Sequence, residues 1–307
     1  MADRIGVVGA GRVAQTLGYL LRRQGVRVTG VVSRNRAHAE EAARFIGPGV
    51  TARAYAQLVR EADTILIAVS DDAVSHVADS LARTGMSKGC AIHTAGVYGP
   101  EALRTLASRG VSCGSLHPLQ TIASPEQGVA DLPGAWFAVA AEGPAKEVAE
   151  RWVAILRGKL LSVVPGGKPL YHAAAVMAGN YTAALLEAAL VLMRAAGIPT
   201  TDASQALAPL MKTSVENALS QGPATALTGP IARGDIETLG LHLDAMRRAR
   251  IPEAVSAFYR AAGIQTSDLA RQKGLSEEKV RAVEQVLKGE EYETGSGPRP
   301  EGHEEQG

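Results

Sequence analysis

Ile5-Gly-Val-Val-Gly-Ala-Gly-Arg-Val-Ala14 is the stretch that decides the fold. Its first half, together with Arg4, is a short apolar run of the kind buried in a parallel sheet. Its second half, Gly9-Ala10-Gly11-Arg12-Val13-Ala14, matches G-x-G-x-x-A, and an apolar helical pattern follows to Gln24. Gly25 ends that helix, and Arg27–Val32 reads as a second strand. A glycine-rich hexad set between a strand and a helix, with the next strand on schedule, is a dinucleotide-binding signal. Each residue has a physical task. Gly9 permits the tight turn, Gly11 lets the backbone approach a pyrophosphate, and Ala14 allows the helix to pack closely on the strand. The backbone of Gly9, Ala10, Gly11, Arg12 and Val13 then presents a helix N-terminus to the phosphates.

Working outward, the second strand runs into Ser33-Arg34-Asn35-Arg36. A cofactor with a free ribose 2′-hydroxyl wants an acidic side chain at this point. A hydroxyl and a guanidinium suit a 2′-phosphate instead, so Ser33 and Arg34 predict NADP (NADPH) rather than NAD. Further strands are expected over Thr64-Ile-Leu-Ile-Ala-Val69, residues 90–94, 112–116, 136–140 and 160–164, with a helix over 144–156. Alternating strands and helices predict a doubly wound parallel sheet, in which ligands sit at the carboxyl ends of the strands. Gly9, Ser33, Ser70, Thr94 and His117 all lie just past a predicted strand. Ser70 and Thr94 therefore join the cofactor set, and His117, held extended before Pro118, is placed beside the substrate. Asp71 and Asp72 read as acids favoured by a helix N-terminus, and His93 as a structural residue.

Pro165-Gly166-Gly167 is a natural junction. The predicted architecture is α/β: a Rossmann domain over residues 1–165, an all-helical substrate and dimerisation domain over 166–288, and a disordered Gly-, Glu- and Pro-rich tail over 289–307. The second domain opens with a helix over 168–197, with Pro169 at its start and Gly197 at its end. Inside it only Glu187 and Arg194 are charged, which predicts that most of its faces are buried. Lys168, His172 and Asn180 gather polar groups near its start. A helical pattern follows over 201–221, bent at Pro209 and stopped by Gly222-Pro223. Asp235 is placed to cap a helix beginning at Ile236, and further helices run to Lys288. Ala270, Gly274, Val280 and Val283 have the spacing of a helix-turn-helix, but Glu277, Glu278 and Glu284 outweigh Lys279 and Arg281 on the second helix. That surface would repel phosphates, so the pair reads as a packing hairpin.

Composition bounds the rest. The 307 residues carry a net charge of +1 and only 4% aromatics, so nothing draws the chain to nucleic acid or to an anionic membrane. Cys90 and Cys113 are the only cysteines, which suits a reducing cytoplasm and excludes a cysteine metal site. No signal-peptide apolar region follows Met1, and Asn180 and Glu187 interrupt the best candidate for a membrane span.

Gly9–Ala14, His93-Thr-Ala-Gly96, Leu116-His-Pro-Leu-Gln120, Tyr171-His-Ala-Ala-Ala-Val176 with Asn180, and Ala226-Leu-Thr-Gly-Pro-Ile-Ala-Arg-Gly-Asp235 together resemble the 6-phosphogluconate dehydrogenase-like superfamily. That group includes β-hydroxyacid dehydrogenases, ketopantoate reductases and pyrroline-5-carboxylate reductases. More closely, the chain looks like the Rossmann-like proteins with a C-terminal helical domain of unknown function. The resemblance implies a lysine at the start of the interdomain helix that hydrogen-bonds or protonates the substrate carbonyl oxygen as hydride arrives. Lys168 matches it. His172 stands one turn on, where the superfamily has asparagine, and Asn180 is the substitute further along. The glutamate acid of ketopantoate reductases has no carboxylate counterpart here, and Thr228-Gly229 looks more like the Gly- and Thr-rich loop of pyrroline-5-carboxylate reductases. The implied function is an NADP-dependent reductase of a small oxo acid or imine, working as a homodimer. The alternative is a non-catalytic NADP-binding sensor.

Overall fold

The apolar run Arg4–Val8 forms β1, and Ile5, Val7 and Val8 on it are buried. The other strands are β2 (Arg27–Val32), β3 (Thr64–Ile67), β4 (Cys90–His93), β5 (Ser112–Leu119), β6 (Trp136–Ala141) and β7 (Lys159–Leu161). They make one seven-stranded sheet in the order β2-β1-β3-β4-β5-β6-β7. The segments between them form α1 (Arg12–Arg23), α2 (Arg36–Ile46), α3 (Tyr55–Glu61), α4 (Val74–Arg83), α5 (Arg104–Ala107), α6 (Pro125–Asp131) and α7 (Gly143–Ile155). These come from a computed structural model that describes residues 4–290. Residues 291–307 of the expected tail lie outside the described residues.

Both faces of the sheet are apolar because both are covered. On one face Ile5, Val7, Leu66 and Phe137 pack with Leu17 and Leu21 of α1, Ile46 of α2 and Trp152 of α7. On the other, Val8, Ile65, Ile67 and Ala91 pack with Leu58 of α3, Leu81 of α4 and Leu106 of α5. The four-residue β3 feeds both cores, since its side chains alternate between faces. Each such leucine or isoleucine contributes about 1.5–3 kcal/mol by leaving water.

One strand departs from the expected parallel sheet. Pairs β1–β2, β1–β3, β3–β4 and β4–β5 are parallel, but β6 runs antiparallel to β5, pairing Leu119 with Trp136 and Gly114 with Ala141. A parallel return needs a crossover that spans the sheet. The link from β5 to β6 holds only the seven-residue α6, so the chain re-enters at the edge it left. β7 pairs parallel to β6 and ends at Leu161, shorter than expected.

The chain divides into two compact units, one ending at Asn180 and the other beginning at Tyr181. The first unit also contains α8 (Lys168–Ala178). Helix α9 (Asn180–Ala195) opens the second, followed by α10 (Thr200–Gln221), α11 (Pro223–Ala226), α12 (Pro230–Arg233), α13 (Ile236–Arg248), α14 (Glu253–Gln272) and α15 (Glu277–Lys288). Asp235 caps α13, its Oδ1 accepting from the Thr238 amide at 3.0 Å. Helices α14 and α15 form the expected hairpin. Ala270, Val280, Val283 and Leu287 are buried in it, and Gly263 leaves room for Leu287.

Two expectations for the apolar stretch 168–197 are corrected. It is two helices, not one, broken at Gly179, where the backbone takes φ −100° and ψ −72°. That backbone stays in the right-handed helical region, and its amide still donates to the Ala175 carbonyl at 2.9 Å. The faces expected to be buried are open in the single chain. Leu170 is 79% exposed, Met177 64% and Tyr181 53%, and on α10 Leu219 reaches 82%. By length and mean hydropathy Lys168–Ala195 is also apolar enough to cross a membrane, despite Asn180 and Glu187.

Candidate functional site

The β1–α1 turn takes the shape the hexad predicts. Gly9 has φ +118°, and a Cβ on it would lie 2.0 Å from the Ala68 carbonyl oxygen. Its amide donates to the Val32 carbonyl at 2.8 Å, tying the turn to the end of β2. Gly11 is the N-cap of α1, and a Cβ there would meet nothing within 4 Å. Its missing side chain therefore opens space above the helix N-terminus. Ala14 is fully buried.

That turn floors a groove of about 1080 Å³ at the carboxyl edge of the sheet. All nine residues expected around a cofactor line it: Gly9, Ala10, Gly11, Arg12, Val13, Ser33, Arg34, Ser70 and Thr94. His117 and His172 line it as well. Some of these groups have local duties. The Arg12 guanidinium donates to the Ala123 carbonyl at 3.1 Å. A hydrogen bond from Ser70, ahead of backbone amides and Arg34, holds the Asp72 carboxyl below its ordinary range.

At one end of the groove His172 of α8 lines it, while Lys168 of the same helix lines a separate cavity of about 1100 Å³ with Tyr98, Glu101 and Arg104. Lys168, Tyr171 and His172 share one helix face at spacings of three and four. Tyr171 Oη and His117 Nδ1 are 2.7 Å apart in a hydrogen bond. The His117 ring stands edge-on to those of Tyr171 and His172, with centroids 5.5 and 5.8 Å away. Gly96 makes this approach possible, since a Cβ there would lie 2.4 Å from His172 Cδ2 and 2.9 Å from His117 Nε2. Lys168 is buried, its Nζ lies 5.6 Å from the Tyr171 ring centroid, and it has no hydrogen-bond partner among the described residues.

Burial sets the electrostatics here. It pushes the Lys168 ammonium down to about 8, against the opposing pull of the Glu101 and Asp71 carboxylates. Burial, then Lys168, then His172 and His93 push His117 down to about 4, so its imidazole is neutral at neutral pH. Burial raises the Tyr171 hydroxyl to about 12. His93 behaves as the structural residue expected. It is fully buried, its Nδ1 accepts from the Ala95 amide at 3.2 Å, and its Nε2 donates to the Gly99 carbonyl at 2.8 Å.

Two expected residues are not among those that line the groove. Asn180 is exposed at the start of α9 and does not line the groove. Thr228 is exposed in the second unit. The residues that sequence reasoning missed are Tyr171, His38 and Tyr55, all three half-buried or exposed beside the groove or its histidines. Tyr171 had one available signal, its position three residues after Lys168.

A parallel-dominated sheet with a glycine turn at its carboxyl edge, followed by a helical unit, defines a Rossmann-type α/β protein. Residues 2–118 match the family model of a Rossmann-like domain, and residues 135–266 match the model of a domain of unknown function, DUF2520. No curated protein matches it in sequence. Solved structures match it in fold. A Bacteroides fragilis protein assigned as an NADP oxidoreductase is 23% identical with TM-score 0.69, over 89% of this chain and 98% of that one. An imine reductase from a Pseudomonas species is 19% identical with TM-score 0.61, over 94% and 99%. The pyrroline carboxylate reductase of Plasmodium falciparum, with NADP bound, is 12% identical with TM-score 0.57, over 93% and 98%.

Proposed function

We propose that the chain is an NADP-dependent oxidoreductase that reduces a small 2-oxo acid, ketopantoate-like, or an imine. The observation that carries this reading is the single groove running from the glycine turn to His117 and His172. It fits a dinucleotide in three ways. Gly9 has room for no side chain, Gly11 leaves its space open, and the α1 N-terminus faces the place a pyrophosphate takes. Ser33 and Arg34 at the end of β2 would hold the 2′-phosphate, and Thr94 and His117 line the same groove. Bound NADPH would supply hydride there. Solved relatives by fold include an NADP oxidoreductase assignment, an imine reductase and a pyrroline carboxylate reductase.

Lys168 would serve as acid or electrostatic clamp. An unpartnered ammonium in a buried setting is costly unless a negative charge meets it. The anion that develops on a carbonyl oxygen or imine nitrogen is such a charge, and a preset cation stabilises it without reorganising. His172 adds a polar edge beside it, with Asn180 as a more distant candidate. The open apolar faces of α8, α9 and α10 fit a second copy of the chain, so the working form is a homodimer. A reducing cytoplasm suits the two cysteines, neither of which is in a disulfide.

Loss of NADPH absorbance with ketopantoate or cyclic imines such as 1-pyrroline tests the reading. Turnover that Lys168→Ala abolishes supports it. Binding of NADPH without turnover on any 2-oxo acid or cyclic imine would favour the sensor instead.

A further inference from the structure

Lys168, expected as acid or electrostatic clamp, is not among the side chains that line the groove, which leaves the groove's own proton donor to be assigned. Hydride addition to a neutral C=O or C=N leaves an anion on oxygen or nitrogen, and that atom must gain a proton. His117 is well placed among the groove's side chains to give one. It lines the groove, its Nδ1 is taken by Tyr171, and no described residue hydrogen-bonds its Nε2. The direction of the Tyr171–His117 bond decides what Nε2 can do. A phenol is a far stronger acid than a neutral imidazole N–H, and the Tyr171 hydroxyl has no other acceptor among the described residues. It therefore donates to Nδ1, and the neutral imidazole carries its hydrogen on Nε2. The same pair could not relay a proton in the opposite tautomer, because Nε2 would then be a bare acceptor.

We propose that His117 Nε2–H gives the proton to the reduced substrate, and that Tyr171 is the positioning residue that holds His117 in this tautomer and resupplies it. The proposal rests on the reductase reading above. Its steps balance. A bound reduced nicotinamide would supply the hydride of the new C–H bond, with the π pair moving to oxygen or nitrogen. That atom takes the Nε2 proton as His117 Nδ1 takes the proton of Tyr171. The negative charge ends on the tyrosine oxygen, and the pair resets when water protonates Nε2 and the Nδ1 proton returns to that oxygen. Lys168 Nζ, 5.6 Å from the Tyr171 ring centroid, is the cation beside that transient tyrosinate. Burial keeps the phenol protonated between turnovers, so it remains a donor. Gly96 is part of the device, since a side chain there would displace both imidazoles.

The test reads the tautomer directly. The full chain, labelled with ¹⁵N-histidine and saturated with NADPH, is examined by two-bond ¹H–¹⁵N correlation, with His117→Gln to assign the ring. The expected result is His117 wholly in the Nε2–H form, with a mixture of both tautomers in Tyr171→Phe. An Nδ1–H ring in the wild type, or an unchanged tautomer in Tyr171→Phe, overturns the proposal. With ketopantoate or 1-pyrroline, Tyr171→Phe should lower kcat about tenfold or more while the KM for NADPH stays the same. An unchanged kcat overturns it too. The spectra do not depend on turnover, so a chain that reduces neither compound would fail the reductase reading while leaving the tautomer result to stand by itself.

Discussion

Lys168 and Leu170 stand two residues apart on α8, and each has the exposure that suits the other. The ammonium-bearing side chain is 5% exposed and the leucine 79%. The inversion continues along the stretch. Tyr171 and His172 turn inward with Lys168, while Met177, Tyr181 and Leu185 face solvent in the single chain. Neither half is what the stability of one isolated chain would select. A buried cation with no hydrogen-bond partner among the described residues suits the proposed role of a charge held ready, and an open apolar face suits a surface that a second copy covers.

Changes at the buried end should be largest. Lys168→Met should cut turnover about a thousandfold and raise the melting temperature, because an apolar isostere removes an uncompensated buried charge. Steady-state kinetics and calorimetry on the same protein check both halves. Unchanged turnover would make Lys168 a structural accident.

The buried end should also respond to pH. Folding depresses His93 and His117 to about 4 from 6.5, so the unfolded chain binds more protons across that window. Stability is thus present above 6.5 and lost as pH falls toward 4, by about 3 kcal/mol for the fully buried His93 at most. Lys168 acts in the same sense at higher pH. Its depressed value, about 8 against 10.5, makes stability rise as pH increases through that range, and Lys168→Met should flatten the rise. Urea melts at a series of pH values measure these slopes.

The exposed end is probed by Leu185→Glu combined with Leu219→Glu. Placing two carboxylates on an apolar interface should weaken self-association about thirtyfold or more, read by sedimentation equilibrium. A wild-type chain that is monomeric at high concentration would remove the reason offered for this face. Smaller still, Arg34→Ala should reduce the preference for NADPH over NADH about tenfold, seen as the ratio of their dissociation constants.

The cofactor half of this picture was legible in the sequence because it depends on local rules. Gly9–Ala14 carries its own turn geometry, and the end of each strand names a residue at the sheet edge, so Ser33, Ser70, Thr94 and His117 could be placed together. What stayed hidden depends on distance in the chain. Tyr171 meets His117 across 54 residues, and no periodicity marks such a pair. The antiparallel β6 was missed because its apolar pattern is the same in either direction, and only the brevity of α6 decides the return. The exposure of α8 and α9 was misread for a different reason. Apolar composition says that a face is to be covered, but not whether by its own chain or by another.

The groove from Gly9 to His117 is proposed as the site for NADP. Thermal melting of the full chain with saturating NADPH, and separately with NADH, tests it most directly, since a ligand that binds only the folded state raises the melting temperature with its affinity. NADPH should raise it more than NADH does. No shift with either dinucleotide would contradict the claim.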